Sequence, residues 1–343
     1  MTYDDIGLIQ TTLCEIESRS IPSTEVEIKG RKLDFPLIGS PMDTVVDGKM
    51  AAHLDKAGMV GIIHNLNTPS QQSVEIVKYL EECDRLEIEP NNVGIALPVQ
   101  DFEERLRLLT LVPDAWICFD AANGFTTLME KAITKYKEFG LDNILISGNV
   151  DTYQGAKFLD NLGVDLIRVG IGGGSVCETS LVTGFGRGML TSLSDIRYNK
   201  QGYAPPKAKL IADGGIKKGA DIAKALAFGA SFVMVGSLLA GHEESPGETR
   251  YGKKVFRGMA SRGVALQKNK LKGEDKQIIP EGIEVEIPYK GPVAPLLEDL
   301  KGWLRVAMTY ANAKTLDRFN PLWDKLTEDD KKERFTHIQN DKS

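Results

Sequence analysis

Cysteine and histidine are scarce in this chain, at four residues each in 343. The cysteines (Cys14, Cys83, Cys118, Cys177) never fall in CxxC spacing, which argues against a zinc ribbon or a disulfide framework. The histidines (His53, His64, His242, His337) lack the paired spacing of metal ligands. No apolar run approaches the roughly 20 residues that a membrane-spanning helix needs. The opening MTYDDIGLIQ has no basic stretch leading into an apolar one, so no secretory signal is expected. Positive charge is not in excess either. Lys and Arg total 42 against 48 Asp and Glu, a net charge of -6, which disfavours a nucleic-acid-binding surface. These absences together predict a reducing, cytoplasmic setting with no membrane and no nucleic-acid partner.

What is present is an ordinary globular composition, 42% hydrophobic and 26% charged. Eight short apolar runs recur: Pro36–Gly39, Val60–His64, Asn92–Leu97, Trp116–Asp120, Asn143–Ser147, Leu166–Gly170, Leu210–Asp213 and Phe232–Gly236. Their nearly continuous apolar character suits strands buried on both faces. Amphipathic helix candidates lie between them at Gly48–Ala57, Ser70–Leu86, Phe102–Leu109, Thr126–Phe139, Thr152–Leu162 and Ala220–Ala227. A βα alternation of eight strands is the count of an α/β (β/α)8 TIM barrel. A doubly wound open sheet competes with it, and periodicity alone does not separate the two.

In a barrel the loops after the strands carry the chemistry. Here the sixth run opens into Ile171-Gly172-Gly173-Gly174-Ser175-Val176-Cys177-Glu178-Thr179, with a second glycine cluster at 184–188. Glycines let the backbone turn at positive φ and approach a ligand closely. A cysteine among backbone N–H groups can be held as thiolate, the nucleophilic form. It can equally be a small residue in a tight turn. Asp213-Gly214-Gly215 and Gly236-Ser237 follow the last two runs, where barrels commonly cradle a phosphate. Asp213 could accept from a sugar diol or simply cap a helix.

Beyond Leu239 the rhythm breaks. Residues 241–256 read as a polar excursion, 264–280 as a Lys-rich loop beside the barrel mouth, and Ile283–Ile287 as a strand. A long loop in that place reads as a mobile flap. Helix returns at Pro295–Leu316, and 326–343 is a charged tail. An N-terminal extension with a short strand near Glu25–Ile28 precedes the barrel. The whole chain, 1–343, is expected to be one domain.

The motifs SPMDTV (40–45), GIIH (61–64), FDAANGF (119–125), SGNV (147–150), VGIGGGSVCET (169–179), IADGGI (211–216), RGMAS (257–261) and EGIEVEIPYKG (281–291) resemble the IMP dehydrogenase/GMP reductase family over about Thr2 to Arg318. The resemblance implies a (β/α)8 barrel, a homotetramer, a bound purine mononucleotide and a nicotinamide dinucleotide. It makes Cys177 the nucleophile at purine C2, Thr179 a proton relay and Glu281 its acidic partner. Met42, Asp213, Gly214, Gly215, Gly236, Ser237, Gly258, Met259, Ala260 and Gly282 would bind substrate. Asp120, Ala121, Ala122, Gly172 and Met259 would meet the cofactor, with Ser18 and Arg19 reaching a neighbouring subunit's cofactor. Carbonyls of Gly172, Gly174 and Cys177 would hold a monovalent cation, potassium (K+). An all-carbonyl donor set suits a hard cation rather than zinc.

The family divides into two reactions. The dehydrogenase oxidises IMP with NAD and then needs a flap base, an Arg-Tyr pair, to hydrolyse the adduct. The reductase deaminates GMP and reduces the adduct with NADPH. Val264–Pro280 contains neither Arg nor Tyr. No module interrupts the second and third strands where dehydrogenases carry paired CBS domains. Asp120-Ala121-Ala122-Asn123-Gly124 and Glu17-Ser18-Arg19 resemble reductase motifs. These features point to the reductase, with a thioimidate on Cys177. Departures are also present: Gly188-Met189 where both branches carry Pro-Gln, Asn65 where reductases carry a Lys for the cofactor's 2′-phosphate, and Ser180 in place of an Arg. NADH therefore stays beside NADPH as the reductant. A dehydrogenase without CBS domains and a non-catalytic nucleotide-binding barrel remain alternatives.

Overall fold

A computed structural model describes residues 1–10, 13–198, 202–272 and 279–319. The charged tail at 326–343 and residues 273–278 of the expected flap lie outside the described residues. A 3-10 turn, Tyr3–Asp5, comes first, followed by an antiparallel hairpin of β1 (Val26–Ile28) and β2 (Arg31–Leu33). Eight strands then close on one another: β3 (Leu37–Gly39), β4 (Val60–Ile63), β5 (Val93–Leu97), β6 (Trp116–Asp120), β7 (Leu145–Val150), β8 (Leu166–Val169), β9 (Lys209–Asp213) and β10 (Phe232–Val235). Neighbours pair in parallel, and β10 returns to β3 through Val233 beside Leu37. Each expected apolar run has become one barrel strand, and closure settles the choice against an open sheet.

The crossovers are α1 (Gly48–Lys56), α2 (Pro69–Arg85), α3 (Thr127–Glu138), α4 (Tyr153–Asn161), α5 (Thr179–Thr183), α6 (Met189–Arg197) and α7 (Gly219–Ala227). Several start where the sequence offers a cap. Thr68 caps α2 with Gln71 returning the bond and Pro69 in the first turn. Asp47, Thr126 and Thr152 accept from the third residue beyond them at the starts of α1, α3 and α4. The candidate at 102–109 is a 3-10 helix, Glu103–Thr110, rather than α. The helix α6 was not expected, because Gly188 hides its start and its side-chain pattern is weak.

The excursion after β10 forms a second antiparallel pair, β11 (Lys253–Arg257) and β12 (Glu284–Pro288), with α8 (Arg262–Lys272) between them. Part of the expected loop is therefore helical. Ala265, Leu266 and Gln267 are good helix formers, and Val264 is fully buried beneath them. The chain continues through α9 (Ala294–Tyr310) and α10 (Leu316–Phe319).

The eight barrel strands are buried along nearly all their length, unlike β11 and β12. One apolar cluster fills the space between strands and helices. A second fills the barrel interior at the strands' N-terminal ends, where Ile28 and Leu33 of the hairpin meet Ile62, Ile146, Trp116 and Phe232. Trp116 and Phe232 meet edge to face there, at 6.1 Å between ring centres. That end is sealed, so the cavity opens at the other.

Candidate active site

A cavity of about 350 Å³ opens at the C-terminal ends of the strands. Cys177 lines it from the loop between β8 and α5. Two glycines shape that loop. Gly172 sits at φ +74°, and Gly170 at φ +133°, where a Cβ would stand 2.3 Å from the Asp213 carbonyl oxygen. The Cys177 thiol donates to the Thr179 hydroxyl at 3.2 Å, and Thr179 and Glu281 line the same cavity. The other buried thiols are poor nucleophiles. Burial pushes Cys118 up to about 12 and Cys83 up to about 11.

Main-chain bonds bring Glu281 to the cysteine. Glu178 N–H donates to the Glu281 carbonyl at 2.7 Å, and Ile283 N–H to that of Val176 at 3.1 Å. Cys177 and Gly282 form an antiparallel bridge. On the other side, Glu281 N–H donates to the Ala260 carbonyl at 3.0 Å and Gly258 N–H to that of Ile283 at 3.0 Å. Three distant segments are thus sewn into one small backbone unit. Gly282 does not line the cavity. A Cβ there would meet the Val176 oxygen at 2.9 Å, so its place is explained by close backbone approach.

The stitched unit is fastened to the first barrel loop by Arg257. Its guanidinium donates to Asp43 through Nε at 2.9 Å and through Nη2, and to Gln267 of α8 at 3.0 Å. The Asp43 bonds raise the guanidinium pKa, so Arg257 stays charged. Met42 packs over Gly236, whose added Cβ would stand 2.9 Å from Sδ.

Beneath the cavity lies a charge network that sequence reading missed. Arg168, 5% exposed, projects from β8 and donates to Asp213 Oδ2 through Nη2 at 2.8 Å and Nε at 3.2 Å. Its Nη1 donates to Asp120 Oδ1. Asn149 Nδ2 adds a further bond to Asp213 Oδ2 at 2.8 Å. Burial alone would push the guanidinium pKa down, but the two carboxylates overcome this and hold it well above its usual value. All three side-chain bonds to Asp213 end on Oδ2, and Oδ1 accepts none from the described residues. Asp120 Oδ2 likewise has no partner among the described residues. An arginine inside a run buried on both faces was the available signal, because such a charge demands partners.

Of the expected residues, Met42, Asp120, Ala121, Ala122, Gly172, Gly174, Asp213, Gly214, Gly215, Gly236, Ser237, Gly258, Met259 and Ala260 also line the cavity. Gly214 (φ +107°) and Gly215 (φ +77°) hold the left-handed turn that a backbone cradle requires. Ser18 and Arg19 do not join them. They are exposed, on a segment where Ser23 N–H donates to the Lys314 carbonyl. Asn65 does not reach the cavity either; its carbonyl accepts from buried Arg105 at 3.2 Å. No cluster of three His, Cys, Asp or Glu side chains suited to a metal exists among the described residues. Backbone carbonyls are the donors the cysteine loop offers, and they suit a hard monovalent cation. No helix among the described residues is long and apolar enough to cross a membrane.

A closed parallel barrel of eight strands with a cavity at their C-terminal ends is the (β/α)8 class. The IMP dehydrogenase / GMP reductase domain matches residues 1–339. GMP reductase of Oceanobacillus iheyensis is 35% identical over 319 residues, 92% of each chain. GMP reductase of Bacillus subtilis is 33% identical over the same share. A crystal structure of a cysteine-to-alanine variant of GMP reductase from Trypanosoma brucei, in complex with guanosine 5'-monophosphate, shares the fold with a TM-score of 0.82. It is 23% identical and covers 93% of both chains. The chain belongs to the IMP dehydrogenase/GMP reductase family of NAD(P)-dependent oxidoreductases.

Proposed function

We propose that this chain is a GMP reductase, taking GMP, NADPH and two protons to IMP, ammonium and NADP+. The observation that carries the reading is the Cys177 thiol donating to the Thr179 hydroxyl at 3.2 Å, with Glu281 facing the same cavity. The relatives' names support the reductive direction, and so does a 264–280 stretch with no Arg or Tyr to activate water.

The phosphate would rest on N–H groups of the Gly214-Gly215 and Gly236-Ser237 turns. Asp213 Oδ1 would take the ribose hydroxyls, held in place by Arg168 and Asn149. Met42 and the Gly258-Met259-Ala260 backbone would flank the base. The Cys177 thiol gives its proton to the Thr179 side, and the thiolate adds to purine C2, forming the C–S bond as the C2–N3 π pair moves onto N3. Thr179 and Glu281 pass a proton to the exocyclic nitrogen as the C–N bond breaks and ammonia leaves. Cys177 would take back the C–S electron pair as IMP leaves, the hydride that arrives at C2 being the chemistry that bound NADPH would supply. Asp120 Oδ2, which has no partner among the described residues, stands beside Ala121 and Ala122 and fits a cofactor ribose, with Gly172 and Met259 nearby. Carbonyls of Gly172, Gly174 and Cys177 would hold potassium. Ser18 and Arg19 would have to come from a neighbouring copy, so a cytoplasmic homotetramer of single-domain chains completes the reading.

The test is a two-direction assay. Purified protein with GMP should consume NADPH, or NADH in the parallel arm, and release ammonia. Formation of NADH from NAD with IMP would instead establish the dehydrogenase.

A further inference from the structure

The N-terminal turn is tied to both helices that flank the Asp213-Gly214-Gly215 loop. The Met1 carbonyl accepts from Leu190 N–H at 3.1 Å and Thr191 N–H at 3.3 Å, in the first turn of α6. On α7, Lys224 Nζ donates to the Tyr3 carbonyl at 2.6 Å. Between these ties the Tyr3 side chain is 5% exposed and lies against the loop. A Cβ built on Gly215 would come within 3.5 Å of its Cε2 and 3.6 Å of its Cδ2. The start of α7 is itself fixed. Asp221, 2% exposed, accepts from Lys217 N–H at 2.9 Å and Lys218 N–H at 3.2 Å. The Tyr3 hydroxyl is buried and has no hydrogen-bond partner among the described residues. Burial, and then the charges of Asp221 and Asp213, push its pKa up, so it stays neutral.

We propose that Tyr3 is a positioning residue for the nucleotide's phosphate, its ring setting the place of the Gly215 backbone from behind the loop. The inference rests on the nucleotide reading of the cavity. The ring carries the role, because the hydroxyl has no hydrogen-bond partner among the described residues. The tether through Lys224 keeps the ring in place. Removing the ring leaves a void behind a turn whose two glycines have no side chains to brace it.

Calorimetric titration of GMP and of guanosine separates phosphate positioning from general damage. Tyr3→Ala should weaken GMP binding about tenfold, equivalent to ~1.4 kcal/mol. Guanosine binding should stay within about twofold, a difference near 0.4 kcal/mol. In turnover, KM for GMP should rise while kcat holds. Tyr3→Phe should restore wild-type GMP affinity, and Lys224→Met should weaken GMP while sparing guanosine. Equal weakening of GMP and guanosine overturns the proposal, as does unchanged GMP affinity in Tyr3→Ala, or a Tyr3→Phe variant as weak as Tyr3→Ala. If Tyr3→Ala gives no soluble protein, Lys224→Met decides by the same comparison. A wild type that binds neither GMP nor IMP removes the nucleotide reading and this proposal with it. A wild type that binds GMP leaves that reading standing whichever way the variants fall.

Discussion

Replacing Arg168 by Met tests whether the cavity floor is held by charge. Arg168 is 5% exposed, and its guanidinium bonds to Asp213 at 2.8 and 3.2 Å and to Asp120. Two unit charges 4 Å apart attract by about 4 kcal/mol at an effective dielectric near 20. Two carboxylates share this cation, and its desolvation takes back part of the gain. Removing one member of such a buried set costs roughly 3–5 kcal/mol, because the others stay buried and uncompensated. For a chain of this size that corresponds to a fall in Tm of about 4–7 °C. Differential scanning fluorimetry and urea titration read the loss. The Arg168→Met, Asp213→Asn double variant sharpens the test. It removes a charge that the first change left unpaired, so it should be less destabilised than the sum of the single changes by roughly 1–3 kcal/mol. A loss below about 1 kcal/mol for Arg168→Met, or strict additivity of the pair, would refute the reasoning.

Other outcomes follow from the same geometry. Cys177→Ala should abolish turnover and leave GMP binding within about threefold by calorimetry, while Thr179→Ala should lower kcat by roughly 10²–10⁴. Burial holds the His64 pKa below its usual 6.5, and its neutral Nδ1 accepts from Leu66 N–H at 3.2 Å. The unfolded chain therefore takes up this proton first as pH falls. The associated stability is present above the usual histidine pKa and is lost as pH drops through the folded value, so urea midpoints should fall between neutral and mildly acidic pH, less steeply in His64→Asn. Gly170→Ala should yield little folded protein, because the new Cβ would stand 2.3 Å from the Asp213 oxygen at φ +133°. Soluble, active Gly170→Ala would contradict that geometry.

The barrel strands were legible because burial on both faces writes itself as uninterrupted apolar runs between caps such as Thr68 and Asp47. Cys177 and the Gly214-Gly215 turn stood out because a cysteine and paired glycines directly after apolar runs are local signals, whereas Thr179 was marked only by the family resemblance. Arg168 was passed over because its meaning depends on Asp120 and Asp213, which lie on other strands. The helical form of 262–272 was hidden by its lysines, and its anchor is Arg257 reaching Asp43 across the mouth. The place of Gly282 became clear only when the Val176 carbonyl was seen beside it. Ser18 and Arg19 carry a motif that the chain's own fold does not deliver to its own cavity.

The sealed end of the barrel has a consequence for synthesis. The first strand of the ring pairs with the last, Leu37 beside Val233, and the cluster below needs Phe232 as well as Ile28 and Trp116. A chain leaving the ribosome from its N-terminus can stack its early βα units but cannot shut the cylinder until the eighth strand is out. Until then Ile62, Trp116 and Ile146 have no finished interior to occupy. Any sheet formed before then would have to stay open, with unpaired strand edges. That interval is when the nascent protein would most need a chaperone.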